Sequence, residues 1–212
     1  MRRSCGAVGI LVAVSSAGVA QSRLFDYHNT ITVGGGAAIP AGNSTNGLST
    51  APMITVGYGY RFNRWFQADA GANFAFGAAN NHDLETTDFG VMRGHDVEFM
   101  LPFGGRVFIP TPYRRFAISA GAGAVYLRYS ETVNQGDDEI QNNCYSCTAR
   151  DGWAGYGLAN VGYFLDSRRN LHLGTTVQYI VGRTNGQSVG EVPGLRTTDR
   201  WLNVVLEFGV SF

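Results

Sequence analysis

The C-terminal segment constrains this chain more than any other feature. Leu202, Val204, Leu206, Phe208, Val210 and Phe212 occupy every second position, with Trp201, Asn203, Val205, Glu207, Gly209 and Ser211 between them. A helix would scatter both sets around its circumference, whereas a strand separates them onto two faces. The same period recurs upstream in seven further segments. Ile31, Val33 and Ala37 alternate with Thr30, Thr32, Gly34 and Gly36. Ile54 to Phe62 and Phe66 to Phe76 alternate likewise. Val97 to Ile109, Phe116 to Tyr126 and Leu171 to Val181 follow, and Trp153 to Leu165 is the least regular of the set, with Asn160 marking its polar face. Period-two patterning of this extent predicts eight strands.

The connections alternate in length. Those near Asn63-Arg64, Thr111-Pro112-Tyr113 and Asp166 to Asn170 are short, while those near 39–51, 78–94, 131–150 and 184–198 are long and polar. An up-and-down barrel has tight turns on one rim and long loops on the other. An even number of strands puts both termini on the short-turn rim and directs the long loops outward.

Alternation by itself also suits a soluble sandwich or a lipocalin-like barrel with its apolar face inward. Three features favour lipid outside. The polar face mixes Arg61, Asp69, Asp96, Glu98, Arg106, Arg115, His172 and Glu207 with glycine and small polar residues; the chain has 29 glycines. Small residues suit the crowded interior of a narrow barrel, where charges must pair. Most alternating runs also reach the roughly 9–11 residues that cross a bilayer at a tilt. Finally, aromatics gather at two levels: Tyr60, Phe62, Trp65, Phe66, Tyr113, Phe116, Tyr163 and Phe212 near the short turns, and Phe74, Phe76, Tyr126, Trp153, Tyr179 and Trp201 toward the loops. Two aromatic belts are the mark of two membrane interfaces. The expected fold is all-β, an eight-stranded antiparallel up-and-down transmembrane β-barrel.

The N-terminus reads as an export signal. Arg2 and Arg3 precede the apolar run Ala7 to Val14, and Gly18-Val19-Ala20 offers a cleavage site. This is the layout of a secretory signal peptide over residues 1–20, leaving a barrel domain over 21–212. The apolar run is too short to span a bilayer as a helix. All 16 basic residues are arginine, the formal net charge is zero, and no basic patch is interleaved with aromatics. Nucleic acid is therefore not an expected partner.

The chain resembles the small outer-membrane barrels of the OmpA/OmpX type over about residues 21–212. The most specific element is the terminal Val204, Leu206, Phe208, Val210 and Phe212. An aromatic final residue with apolar residues at alternate positions before it is similar to the signal read by the barrel-assembly machinery. The resemblance implies the outer membrane of a Gram-negative-type bacterium as location, and outer-membrane lipids and lipopolysaccharide as surroundings. It names no extracellular ligand and no cofactor.

Four groups of residues bear on function. Arg61, Asp69, Arg106, Arg115 and Glu207 lie within a few residues of the short-turn rim, on the inward face by parity, and are expected to form a lumen charge network, as a structural polar filling or as a gate. Cys144 and Cys147 read as a disulfide in the third long loop; a zinc site with His82 and His95 is the weaker alternative. Glu131, Asp137, Asp138 and Glu139 make that loop acidic, which ordinarily means solvated. His172 and His95 have no serine or cysteine nucleophile in an evident hydrolase motif. The expected role is non-enzymatic, structural or in surface interaction through the long loops. A narrow channel and a lipid-modifying enzyme are the alternatives.

Overall fold

The computed structural model describes residues 27–41, 48–78, 85–87, 90–135, 148–186 and 196–212. The strands are β1 (Asn29–Pro40), β2 (Ala51–Arg61), β3 (Phe66–Phe76), β4 (Glu85–Thr87), β5 (Gly90–Ile109), β6 (Phe116–Gln135), β7 (Thr148–Phe164), β8 (Leu171–Gly186) and β9 (Arg196–Ser211). Each barrel strand pairs antiparallel with its neighbours in sequence, β9 pairs with β1, and β3 pairs with β5. Eight strands close the barrel, and β4 is a short extra strand that pairs with β5 alone. No edge remains unpaired around the wall, which is the condition for a sheet to sit in lipid.

The register fixes the shape. Following direct partners from Pro40 through Trp201, Ile180, Tyr156, Gly123, Gly104, Asp69 and Gly59 returns to β1 at Thr30, ten positions away. Closing with that stagger requires strands tilted at roughly 35–45°. The tight turns are set by side chains. Asn63 Oδ1 accepts the backbone N–H of Trp65 at 2.8 Å and of Phe66 at 3.0 Å. Asp166 accepts those of Arg168 at 3.1 Å and Leu171 at 3.0 Å. Both are Asx-type turns, in which a short polar side chain supplies the acceptor that the bent backbone lacks. Outside the membrane, these N–H groups, that of Leu171 foremost, hold the Asp166 carboxyl below the usual carboxylate range. The last residue is also tied in. Phe212 and Asn29 exchange two backbone hydrogen bonds, at 3.0 and 2.9 Å.

The expected facing holds. Ile54, Val56, Tyr58, Leu173, Val177, Leu206, Phe208 and Val210 are among the large apolar side chains exposed on the outer surface. A continuous apolar girdle of this size is incompatible with a water-facing wall. Along β8 the outward series runs Leu171, Leu173, Thr175, Val177, Tyr179 and Val181 before Arg183. Ten residue steps of about 3.3 Å from Leu171 to Val181, tilted as above, make a band about 25 Å tall, matching the apolar height of such barrels.

Two expectations need correction. The segments expected to be loops are partly strand: β5 and β6 each run 20 residues, and β7 and β8 begin or end within 131–150 and 184–198. In these extensions both faces carry polar residues, inward Arg150 and Thr184 and outward Asn185, so the apolar–polar contrast that marks a strand in sequence fades. Trp201, assigned to the loop-side aromatic belt, is instead fully buried inside. Its parity places it on the lumen face with Asn203, and parity outweighs the general preference of tryptophan for interfaces.

Candidate functional site

Among the described residues, charged and polar side chains of many strands converge in the lumen, which is layered. Nearest the short-turn rim is a cavity of about 110 Å³, lined by Arg61, Asp69, Arg106, Tyr156, His172 and Glu207 among others. Tyr27, Arg168, Arg169 and Ser211 at the rim also border it. Arg106 Nε donates to Asp69 Oδ2 at 2.6 Å, an ion pair with both side chains mostly buried. Gln67 Nε2 donates to the other Asp69 oxygen at 2.7 Å. Glu207 accepts the Thr176 hydroxyl at 2.8 Å and the Asn160 amide at 3.4 Å. The Arg61 guanidinium lies over the Phe108 ring, 3.9 Å from its centroid. A charge flanked by an opposite charge or by dipoles of this kind can remain in a narrow lumen.

Glycines make the room. A side chain at Gly104 or Gly123 would meet the Tyr156 hydroxyl or ring carbon at 2.7 Å. The Tyr156 ring therefore lies across two bare stretches of β5 and β6, at the level where β7 passes them.

Above the cavity a polar crossbar spans the barrel. Thr55 donates to Asn73 Oδ1 at 2.6 Å, and Asn73 Nδ2 donates across to Gln178 Oε1 at 3.2 Å. Asn203 Nδ2 reaches the same Gln178 oxygen at 3.2 Å. Beyond it lies an apolar layer with no solvent exposure: Met100, Val125, Leu127, Ile180 and Trp201. Closer still to the loops is a second charged group. Arg150 Nη2 lies 3.7 Å from Asp199 Oδ1, and Arg150 Nη1 donates to Thr197 at 2.9 Å. The Thr184 hydroxyl donates to Asp199 Oδ2, and Arg150 stacks over Tyr129 at 4.7 Å. Asp96 and Glu98 are buried on the same side of the layer.

Of the residues expected in the charge network, the structure places Arg61, Asp69, Arg106 and Glu207 on the lower cavity, where Arg106 and Asp69 form a direct ion pair. Arg115 is a correction. It lies just before β6 begins, exposed, and donates to the outward-facing Tyr163 hydroxyl at 2.9 Å. Parity carries a side chain inward only while the strand continues, and here it has not yet begun. Sequence reasoning missed the upper group because Arg150 falls in a segment expected to be loop. It also missed the apolar layer. The signal for that layer was present, since Val125, Leu127, Met100 and Ile180 are apolar at positions of lumen parity.

His172 points inward near the short turns, against Gly209 and the Phe164 ring. Cys144, Cys147, His82, Asp137, Asp138 and Glu139 lie outside the described residues, as do the side chains of His95 and Glu131. Among the described residues no cluster of three or more His, Cys, Asp or Glu has metal-site geometry. Val204, Leu206, Phe208 and Val210 lie on the outward face of β9, and Phe212, exposed, follows its end.

No protein-family model matches the chain, and no curated protein matches its sequence. Its fold does match solved outer-membrane barrels. The outer membrane protein OprG from Pseudomonas aeruginosa superposes with a TM-score of 0.51 at 14% identity, covering 88% of this chain and 97% of that one. Neisserial surface protein A gives 0.52 at 12% identity, over 87% and 97% of the two chains. A major outer membrane protein from Thermus thermophilus gives 0.50 at 12% identity, over 87% and 99%. The fold is thus that of the small outer-membrane β-barrels.

Proposed function

We propose that this chain, having the fold of the small outer-membrane β-barrels, is an outer-membrane protein that does not conduct solutes. It serves as a rigid, non-enzymatic scaffold presenting its long loops at the cell surface. The observation that carries this reading is the apolar layer of Met100, Val125, Leu127, Ile180 and Trp201, which fills the lumen between the two charged groups. Ions and polar solutes do not cross a packed apolar layer without losing their hydration, which costs several kcal/mol or more per charge. Loops on a rigid scaffold are where binding functions concentrate. The signal-like residues 1–20 deliver the chain to the periplasm. The alternating Val204 to Phe212 segment, tied to Asn29 at its end, is the part offered to the barrel-assembly machinery.

The test is single-channel recording of the refolded protein in planar bilayers. Silent membranes are expected for the unmodified protein. Reproducible conductance steps that change size in Arg106→Ala or Glu207→Ala would establish the narrow-channel alternative instead.

A further inference from the structure

The outer wall carries its first charges at one level, immediately beyond the apolar band on the loop side. They are Arg128 on β6, Asp151 on β7, Arg183 on β8 and Arg200 on β9, with Arg196 two positions beyond Thr198. On β6 and β7 the charges answer one another, since Arg128 and Asp151 are direct cross-strand partners. Asp151 also accepts the Tyr126 hydroxyl at 3.0 Å. On β8 and β9 they do not. Arg183 is directly opposite Thr198, which puts Arg196 and Arg200 at its two diagonal positions on the same outward face. Diagonal neighbours in an antiparallel pair lie roughly 7–8 Å apart, well within reach for arginine. All three are exposed, and none makes an ion pair or side-chain hydrogen bond among the described residues. A groove lined by Arg183, Asn185, Arg196, Thr197 and Thr198 adjoins the first two of these arginines at the strand ends. Trp153, the direct partner of Arg183 on β7, is exposed beside it and packs edge-on against Phe103 and Tyr126.

Three like charges on one sheet face repel, and placing them at the edge of lipid weakens their screening by water. An anion seated between them removes both penalties. The guanidinium fork matches phosphate oxygens bidentately, and an aromatic at the interface supplies an apolar flank for the attached chains. We propose that Arg183, Arg196 and Arg200 form a site for the phosphate of a phosphorylated glycolipid of the outer leaflet. The acyl chains of that lipid would lie along the apolar wall of β8 and β9. This assignment rests on the reading above that the loop rim faces the outer leaflet.

The full-length refolded protein is titrated in detergent micelles with bisphosphorylated lipid A and, separately, with the same lipid stripped of its phosphates. Both are repeated with the triple variant Arg183→Gln, Arg196→Gln, Arg200→Gln and with the single, strand-end variant Arg196→Gln. The expected result is at least tenfold tighter binding of the phosphorylated lipid. The single variant should lose part of that preference and the triple variant all of it. Equal affinity for the two lipids, or an unchanged preference in either folded variant, overturns the site. So does binding of a soluble sulfated polysaccharide that competes with the lipid at equal concentration, because the occupant would then be a polyanion from solution. Heat-modifiable gel migration and membrane fractionation are read on the same samples. A protein that shows neither loses the barrel reading itself, whereas one that shows both but ignores phosphate loses this proposal alone.

Discussion

The two halves of the lumen obey one alternation and hold opposite contents. Toward the short turns, inward positions are taken by Gly57, Gly59, Gly71, Gly104, Gly121, Gly162, Gly174 and Gly209, and the space left is a cavity holding the tight Arg106–Asp69 ion pair. Toward the loops, inward positions are taken by Met53, Met100, Val125, Leu127, Ile180 and Trp201, and the space is filled. A narrow barrel has a fixed interior radius, so the size of the inward residues decides whether it is hollow or plugged. The difference also sets how each half handles charge. Below, Asp69 and Arg106 meet directly beside an open cavity. Above, Arg150 and Asp199 are held at longer distance within a net of threonine hydroxyls and the Tyr129 ring.

The largest effect is expected from emptying the filled half. Trp201→Ala should cost about 3–5 kcal/mol, the range for truncating a fully buried large aromatic. Phe108→Ala, facing the cavity that already exists, should cost no more than about 2 kcal/mol, since fewer contacts and less dry volume are lost. Urea unfolding of the two variants in lipid vesicles measures both. Equal losses would mean that the two halves do not differ in packing.

The charge pairs come next. Asp69→Ala leaves Arg106 without its direct partner in a mostly buried setting and should cost about 3 kcal/mol. Asp199→Ala should cost about half as much, because Arg150 keeps Thr197 and the face of Tyr129. The same unfolding assay ranks them, and a larger loss at Asp199 would reverse the contrast between a direct pair and a distributed net.

The smallest effect belongs to the rim that supports the hollow half. Asp166→Ala removes the acceptor for the Leu171 and Arg168 N–H groups. Because the folded carboxyl titrates below its unfolded value, its contribution is present above the ordinary carboxylate range and is lost as pH falls through the folded value. The variant should therefore differ from the parent at neutral pH and converge with it in acid. Parallel stability curves across that range would remove the carboxylate from the account of this turn.

Much of the wall was legible in sequence because lipid outside and a polar lumen inside impose opposite demands on successive residues. That pressure shows in Leu202 to Phe212 and fades in β7 and β8 beyond the band, where both faces are polar, inward at Arg150 and Thr184 and outward at Asp151 and Arg183. Arg115 was misplaced for a different reason. Its parity is that of the lumen, but it stands one residue ahead of the strand that would enforce it.

The sequence alone determined the eight membrane-crossing segments, the facing of most of their residues and the membrane they suit, because each follows from a residue and its immediate neighbours. Only the tertiary structure decided which inward residues meet. The register of β3 on β5 brings Asp69 against Arg106, and the ten-residue stagger around the barrel carries Asn73 across to Gln178. The register of β8 on β9 likewise sets Arg183 between Arg196 and Arg200 on the outer wall. Stagger is a property of the closed sheet, summed over all its pairings, and no single strand encodes it.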